Sequence, residues 1–247
     1  MKGNCSRLAI VLCISGLGSM ATAEDTSSAE APVVVELFTS QGCNSCPPAD
    51  AFLGELAQRR DLVALAFHVD YWNYIGWRDP FSSPEATERQ RTYARSLGLS
   101  SVYTPQMVVD GRFDAVGTDR AKVDQAIAAA SQDKRLLIEI ATRPAGGWLV
   151  TVPAGEVAQP ATVWLALYDR QHSTPVRRGE NAGKTLTDYN IVREFRAIGR
   201  WDGAELNLPL DLGATDFAKR GFAVIVQAAT DGPILGAALA PTPAGGS

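Results

Sequence analysis

The sequence contains no run of lysine and arginine able to neutralise a phosphate backbone, and its net charge is −4. That argues against a nucleic-acid binder. After the first twenty residues no apolar stretch approaches the ~20 residues that a membrane-spanning helix needs. A Gly-rich phosphate loop, an H-E-x-x-H pair and a G-x-S-x-G elbow are all missing, so hydrolase readings have no motif to rest on. Charged residues make up 20% and apolar residues 46% of the 247, which is ordinary for a globular chain and excludes disordered and fibrous classes. The length allows one large domain or two small ones. Cysteine is scarce, at four, and its placement carries most of the chemical information.

The first residues read as a secretory signal peptide, residues 1–23. Lys2 and Arg7 supply a positive start, Leu8 to Leu17 a short apolar run, and Ala21-Thr22-Ala23 a cleavage site of small residues. A lipoprotein signal does not fit, because Cys13 follows Leu12. Cleavage near Ala23 would place the mature chain in the periplasm or outside the cell, with a charge more negative than −4. It would also remove Cys5 and Cys13. The mature chain then keeps only Cys43 and Cys46, spaced C-x-x-C, in a compartment that tolerates disulfides.

Residues 24–32 read as a polar tether. Val33 to Phe38 is a near-continuous apolar run of strand length, as expected for a strand buried on both faces. A helical pattern with Phe52, Leu53 and Leu56 on one face begins after Cys46, where Pro47 and Pro48 suit a first turn. Leu62 to Val69 predicts a second strand, and Asp70 to Phe81 is an aromatic segment readable as core or as lid. A helix is predicted over about Pro84 to Leu97, capped by Ser82 or Ser83 and ended by Gly98. Strands at Gln106 to Val109 and Arg112 to Val116 flank the hairpin signal Asp110-Gly111. Asp119 to Ala130 predicts a further helix. From about Arg135 the texture changes to short strand-like runs: Leu136 to Ile140, Trp148 to Val152, Val163 to Leu167, Ile191 to Ile198, Glu205 to Leu210 and Gly221 to Ala228. This spacing predicts an all-β sandwich-like region. The expected organisation is therefore an α/β thioredoxin-like domain at 33–133, a β-sandwich-like domain at 134–240, and a disordered tail at 241–247.

Cysteine reacts as the thiolate, which a helix N-terminus stabilises through its dipole and free N–H groups. Cys43, just before the helix, is expected to be the exposed attacking thiol, and Cys46 in the first turn to resolve a mixed disulfide. The competing reading is an inert structural bridge. The order of elements resembles that of thioredoxins, and that resemblance implies two further features. Thr104-Pro105 should be a cis peptide facing the dithiol. Glu36, an acid inside an apolar strand, should be a proton acceptor beneath Cys46, the alternative being a Glu reaching solvent or pairing with an Arg at a strand edge. His68 is either a hydrogen-bonded histidine at a strand end or a third metal ligand beside Cys43 and Cys46, a donor set suited to copper or zinc.

Longer stretches of the chain resemble a bacterial family of secreted thioredoxin-like proteins, domain-of-unknown-function family 1223. The segments are Val35 to Asp50, His68-Val69-Asp70-Tyr71-Trp72 with Gly76-Trp77, Tyr103-Thr104-Pro105-Gln106, Arg178 to Gly183, and Trp201. The resemblance spans nearly the whole mature chain and implies the fold without supplying a substrate. The polar loop carrying Arg177, Arg178, Glu180, Asn181 and Lys184 reads either as a solvated connection or as an edge of the working cleft. Three functions follow as expectations. The first is an exported thiol–disulfide oxidoreductase acting on protein or small-molecule thiols, with no cofactor beyond its own disulfide. The second is a copper-handling protein using Cys43, Cys46 and His68. The third is a binding module stapled by the disulfide.

Overall fold

A computed structural model describes Met1, residues 31–229 and residues 231–241. The segments predicted as signal peptide, tether and tail lie almost wholly outside the described residues. Among the described residues the first half of the chain follows the expected order of elements. Strand β1 (Val33–Thr39) leads through the Cys-x-x-Cys turn to helix α1 (Pro47–Leu56), then to β2 (Leu62–His68) and α2 (Pro84–Ser96). Strands β3 (Gln106–Val109) and β4 (Phe113–Val116) form a hairpin, and α3 (Arg120–Ala130) follows. Both β1 and β2 are buried at every position and pair in parallel, Val33 opposite Leu62 and Thr39 opposite His68. Pro84 begins α2, and the Ser83 hydroxyl accepts from Ala86 N–H at 3.1 Å, the cap that ends the aromatic segment.

The C-terminal half is where the expectation fails. Its strands are β5 (Glu139–Thr142), β6 (Trp148–Val152), β7 (Ala161–Pro175), β8 (Thr185–Trp201), β9 (Leu206–Leu210), β10 (Arg220–Ala228) and β11 (Ile234–Leu239). They do not form a sandwich set after an α/β thioredoxin-like domain. One mixed eight-stranded sheet runs through both halves in the order β11-β10-β7-β8-β2-β1-β3-β4, and β5-β6-β9 form a separate three-stranded sheet. Only three α-helices occur among the described residues, so the molecule is mostly β.

The physical reason is the open edge of β2. An edge strand presents unpaired N–H and C=O groups that another strand can use. Here β8 takes that place, parallel to β2 with Ile191 opposite Ala66. Asn190, at φ +45°, sends its side-chain N–H to the Ala64 carbonyl at 2.9 Å. A second seam forms at Asp110, in the turn between β3 and β4. Its carboxylate accepts from Val34 N–H at 2.8 Å and pairs with the buried Arg135, and its carbonyl accepts from Ile234 N–H of β11 at 2.9 Å. The adjoining Gly111 has φ +66°, and a Cβ there would stand 2.6 Å from the Gly232 carbonyl oxygen. Only glycine combines that dihedral with that approach.

The pleat sorts the core. Val33, Val35 and Leu37 of β1 pack with Ala49, Phe52 and Leu53 of α1 and Val123 and Ile127 of α3. Val34 and Phe38 face the other way, toward Ala86 and Tyr93 of α2. A third cluster joins β7 and β10 to the small sheet through Trp148, Val150, Leu165, Phe222 and Val224.

Candidate functional site

The site begins where β1 ends. Its register carries the chain out of the sheet at Thr39, and a tight turn follows, with Cys43 N–H donating to Ser40 O at 3.1 Å and Cys46 N–H to Cys43 O at 3.3 Å. Cys46 is the N-cap of α1, with Pro47 and Pro48 in the first turn as the sequence predicts. The two sulfurs are bonded as a disulfide. Ser45 Oγ lies 3.2 Å from Cys43 Sγ, and the Thr104 carbonyl oxygen lies 4.0 Å from it. The Thr104–Pro105 peptide is cis. Trp72 donates its indole N–H to Thr104 Oγ1 at 2.7 Å and covers Gly42, whose added Cβ would meet Trp72 Cβ at 3.0 Å.

Cys43 is not the exposed thiol that the sequence suggests. It is 1% exposed and Cys46 is wholly buried. Part of the cover is the aromatic segment, where Trp72 and Trp77 are half-buried and Tyr74 is exposed. The loop between β7 and β8, residues 176–184, is hydrogen-bonded to the turn that carries the cysteines. The side-chain amide of Asn181 donates to the carbonyls of Gln41 and Cys43, each at 3.0 Å, and Lys184 Nζ donates to Asn181 Oδ1 at 3.0 Å. Asn44 N–H donates to Glu180 Oε2 at 3.2 Å. Gly179, at φ +77°, approaches Trp77 so closely that a Cβ would stand 3.1 Å from its Cβ. The polar loop is largely exposed, yet through Asn181 and Glu180 it is hydrogen-bonded to the turn that carries the disulfide.

Glu36 is placed away from the sulfurs. It shares its side of β1 with Val34 and Phe38, facing α2, whereas α1 packs on the opposite side. Its carboxylate pairs with Arg89 of α2 at 2.7 Å, and the Arg89 guanidinium stands 4.2 Å from the Phe195 ring centroid. Glu36 pairs with an arginine, as one alternative expects, but in the interior of the sheet, since β1 lies between β2 and β3 and the carboxylate is buried.

A buried acid on α1, Asp50, lies one helical turn after Cys46, and sequence reasoning passed over it. Its N–H donates to Cys46 O at 3.1 Å, one helical turn along, and Thr39 Oγ1 donates to its carboxyl at 2.7 Å. Residues four apart share a helix face, so Asp50 and Cys46 point the same way. Four other buried side chains, His68, Asp79, Gln41 and Asp188, gather near it. His68 Nδ1 and Asp79 Oδ2 are 2.7 Å apart, Gln41 N–H donates to Asp79 Oδ2 at 2.8 Å, and Gln41 Nε2 donates to Asp188 Oδ2 at 2.7 Å.

Burial in this dry space pushes the Asp50 carboxyl up to about 8, and the charge of Asp188 adds to the effect. Asp188 is raised as well, again chiefly by burial. For His68, burial alone favours the neutral ring, but Asp79 first and then Asp188 and Asp50 outweigh it, lifting the imidazole to about 9. Burial opposes ionisation of Asp79 too, and contact with His68 overcomes it, leaving that carboxylate below its usual range. At neutral pH the cluster therefore holds a His68–Asp79 ion pair beside a protonated Asp50.

Asp50 was legible as an acid between Ala49 and Phe52 in the motif that follows the cysteines. Asp79 and Asp188 gave no local signal, because they reach the site from a loop and from β8. Among the described residues no group of three or more His, Cys, Asp or Glu side chains is arranged to hold a metal ion. No helix among the described residues is long and apolar enough to cross a membrane.

Fold and site together define a mixed-sheet protein with a covered Cys-x-x-Cys disulfide at the start of a helix. The chain belongs to the family of proteins of unknown function DUF1223, whose family model matches residues 34–227. It is similar to the crystal structure of protein AGR_C_4864 from Agrobacterium tumefaciens, with 35% identity and a TM-score of 0.74 over 88% of this chain and 98% of that one. It is also similar to HBP35 of Porphyromonas gingivalis, with a TM-score of 0.57 over 85% of this chain and 75% of that one; at 14% identity the likeness is one of fold. No curated protein matches.

Proposed function

We propose that this protein is an exported thiol–disulfide exchange protein, with Cys43 as the attacked and attacking sulfur and Cys46 as its resolving partner. The observation that carries the reading is the Cys43–Cys46 disulfide at the first turn of α1 with the buried Asp50 one turn on. In the reducing direction a partner thiolate attacks Cys43, the Cys43–Cys46 bond breaks, and Cys46 leaves as a thiolate that takes a proton from Asp50. A second partner thiolate then attacks the mixed disulfide and releases Cys43. Two electrons pass from the partner's dithiol, which becomes a disulfide, to the cysteine pair. In reverse, Asp50 as carboxylate accepts the Cys46 proton while Cys46 attacks the mixed disulfide.

Export rests on the signal-peptide pattern of residues 1–23, and it supplies the oxidising compartment in which such a pair cycles. Partners are proteins or small molecules carrying thiols or disulfides. The test is a trapping experiment in the exported chain. A Cys46→Ala variant should accumulate mixed disulfides through Cys43, seen by mass spectrometry after acid quench, and Cys43→Ser should accumulate none. Equal, background levels in both variants would overturn the reading.

A further inference from the structure

We infer that the β7–β8 loop, residues 176–184, is a latch that controls access to the disulfide, and that Asn181 and Glu180 are the positioning residues that hold it shut. The inference rests on the exchange reading above and adds what gates it. Thiol exchange needs an attacking sulfur in line with the S–S bond, yet Cys43 is 1% exposed and Cys46 fully buried. Something must move before any thiol reaches them.

The loop has the construction of a separable part. Its base is closed by Val176 N–H to Lys184 O and Gly183 N–H to Val176 O, both at 2.9 Å. Between those bonds Arg177, Arg178, Glu180, Ala182 and Gly183 are exposed, while Asn181 alone turns inward and is wholly buried. Its amide spends both hydrogens on the backbone of the turn that carries the nucleophile, at Gln41 O and Cys43 O. Lys184 holds the amide oxygen, which fixes that orientation. Three side-chain hydrogen bonds, two from Asn181 and one to Glu180, tie the exposed loop to the turn, and a segment held this way opens below the cost of global unfolding.

Glu180 adds an electrostatic element. Its carboxylate accepts from Asn44 N–H, the first backbone donor after Cys43. Free N–H groups at this position are what would stabilise a Cys43 thiolate. With the latch closed, that donor is occupied by a carboxylate and a negative charge stands beside the sulfur. Closure therefore both covers Cys43 and withholds its stabilising donor; opening restores both. Free small thiols react only through rare openings, whereas a partner that displaces the loop meets an unobstructed disulfide.

The test is the rate at which dithiothreitol reduces the oxidised chain, by quenched alkylation and mass spectrometry, at fixed reductant and in increasing sub-denaturing urea. Asn181→Ala is expected to raise the rate about tenfold or more, as loss of two hydrogen bonds would. Glu180→Gln, at an exposed side chain, is expected to raise it several-fold with unchanged unfolding midpoint. The logarithm of the wild-type rate should rise with urea much less steeply than unfolding does, the mark of local opening. Rates within twofold of wild type in both variants, or a urea slope equal to that of global unfolding, would overturn the latch. If Asn181→Ala does not fold, Glu180→Gln and the urea slope decide alone. A reduction potential in the structural range would remove the exchange reading and leave the latch standing.

Discussion

Glu36 of β1 and Arg89 of α2 form a 2.7 Å ion pair on the side of the sheet away from the Cys43–Cys46 disulfide. Arg89 is nearly enclosed, packed against Phe67, Tyr93 and Phe195. Removing one member of a buried pair leaves the other charge uncompensated, which costs about 3–5 kcal/mol. Glu36→Ala should lose stability on that scale in urea unfolding. Its disulfide should keep the wild-type reduction potential, because no part of this pair touches the sulfurs.

Asp50 should matter to the chemistry of exchange. Release of glutathione from a Cys43 mixed disulfide, followed in single turnover across pH 6 to 9.5, should inflect near 8 in the wild type, where the Asp50 carboxyl ionises. In Asp50→Asn that inflection should vanish and the step should slow about a hundredfold, the low end of what a positioned base contributes. An unaltered profile would remove Asp50 from proton transfer.

The same cluster makes stability fall as pH rises. Asp50 holds its proton in the folded state from its ordinary value of 3.8 up to about 8, so the stability it contributes at low pH is lost across that window. His68 is lifted from 6.5 to about 9; its contribution is complete below 6.5 and lost as pH rises through 9. Asp79 runs the opposite way, contributing above its ordinary value and losing that only in stronger acid. The urea midpoint should therefore be higher at pH 6 than at pH 9.5. Replacing His68 by Asn should flatten the upper part of that slope.

The junction of β2 and β8 offers a separate check on the fold. Asn190 combines φ +45° with a side-chain bond to Ala64 O, and Asn tolerates that dihedral better than Ala does. Asn190→Ala should cost about 1–3 kcal/mol by loss of that bond, measured by urea denaturation.

What could be read from the chain divides along the range of the interactions involved. Val33 to Phe38, Pro47 after Cys46, Ser83 before Pro84 and Asp110-Gly111 are local signals of burial, helix start and turn, and each element they announce is present. Trp148 to Val152 was bounded to the residue. The merging of both halves into one sheet was not legible, because it depends on which strand fills the open edge of β2, and Ile191 and Asn190 carry no mark of that pairing. Runs such as Val163 to Leu167 and Ile191 to Ile198 read as short strands, whereas they are parts of strands of 15 and 17 residues, β7 running on into the polar Asp169 to Thr174 and β8 beginning with the mostly polar Thr185 to Asn190. The site divides in the same way. Cys43, Cys46 and Thr104-Pro105 announce themselves by spacing. Asn181, Asp188 and Asp79 arrive from distant parts of the sequence, and only folding brings them to the cysteines.

The measurement that bears most directly on the exchange reading is the reduction potential of the Cys43–Cys46 pair, by equilibration with glutathione and mass spectrometry of the alkylated protein. Working dithiols of this spacing lie between about −120 and −270 mV, and the account predicts a value in that interval. A value below about −300 mV would mark the disulfide as a structural bridge and contradict it.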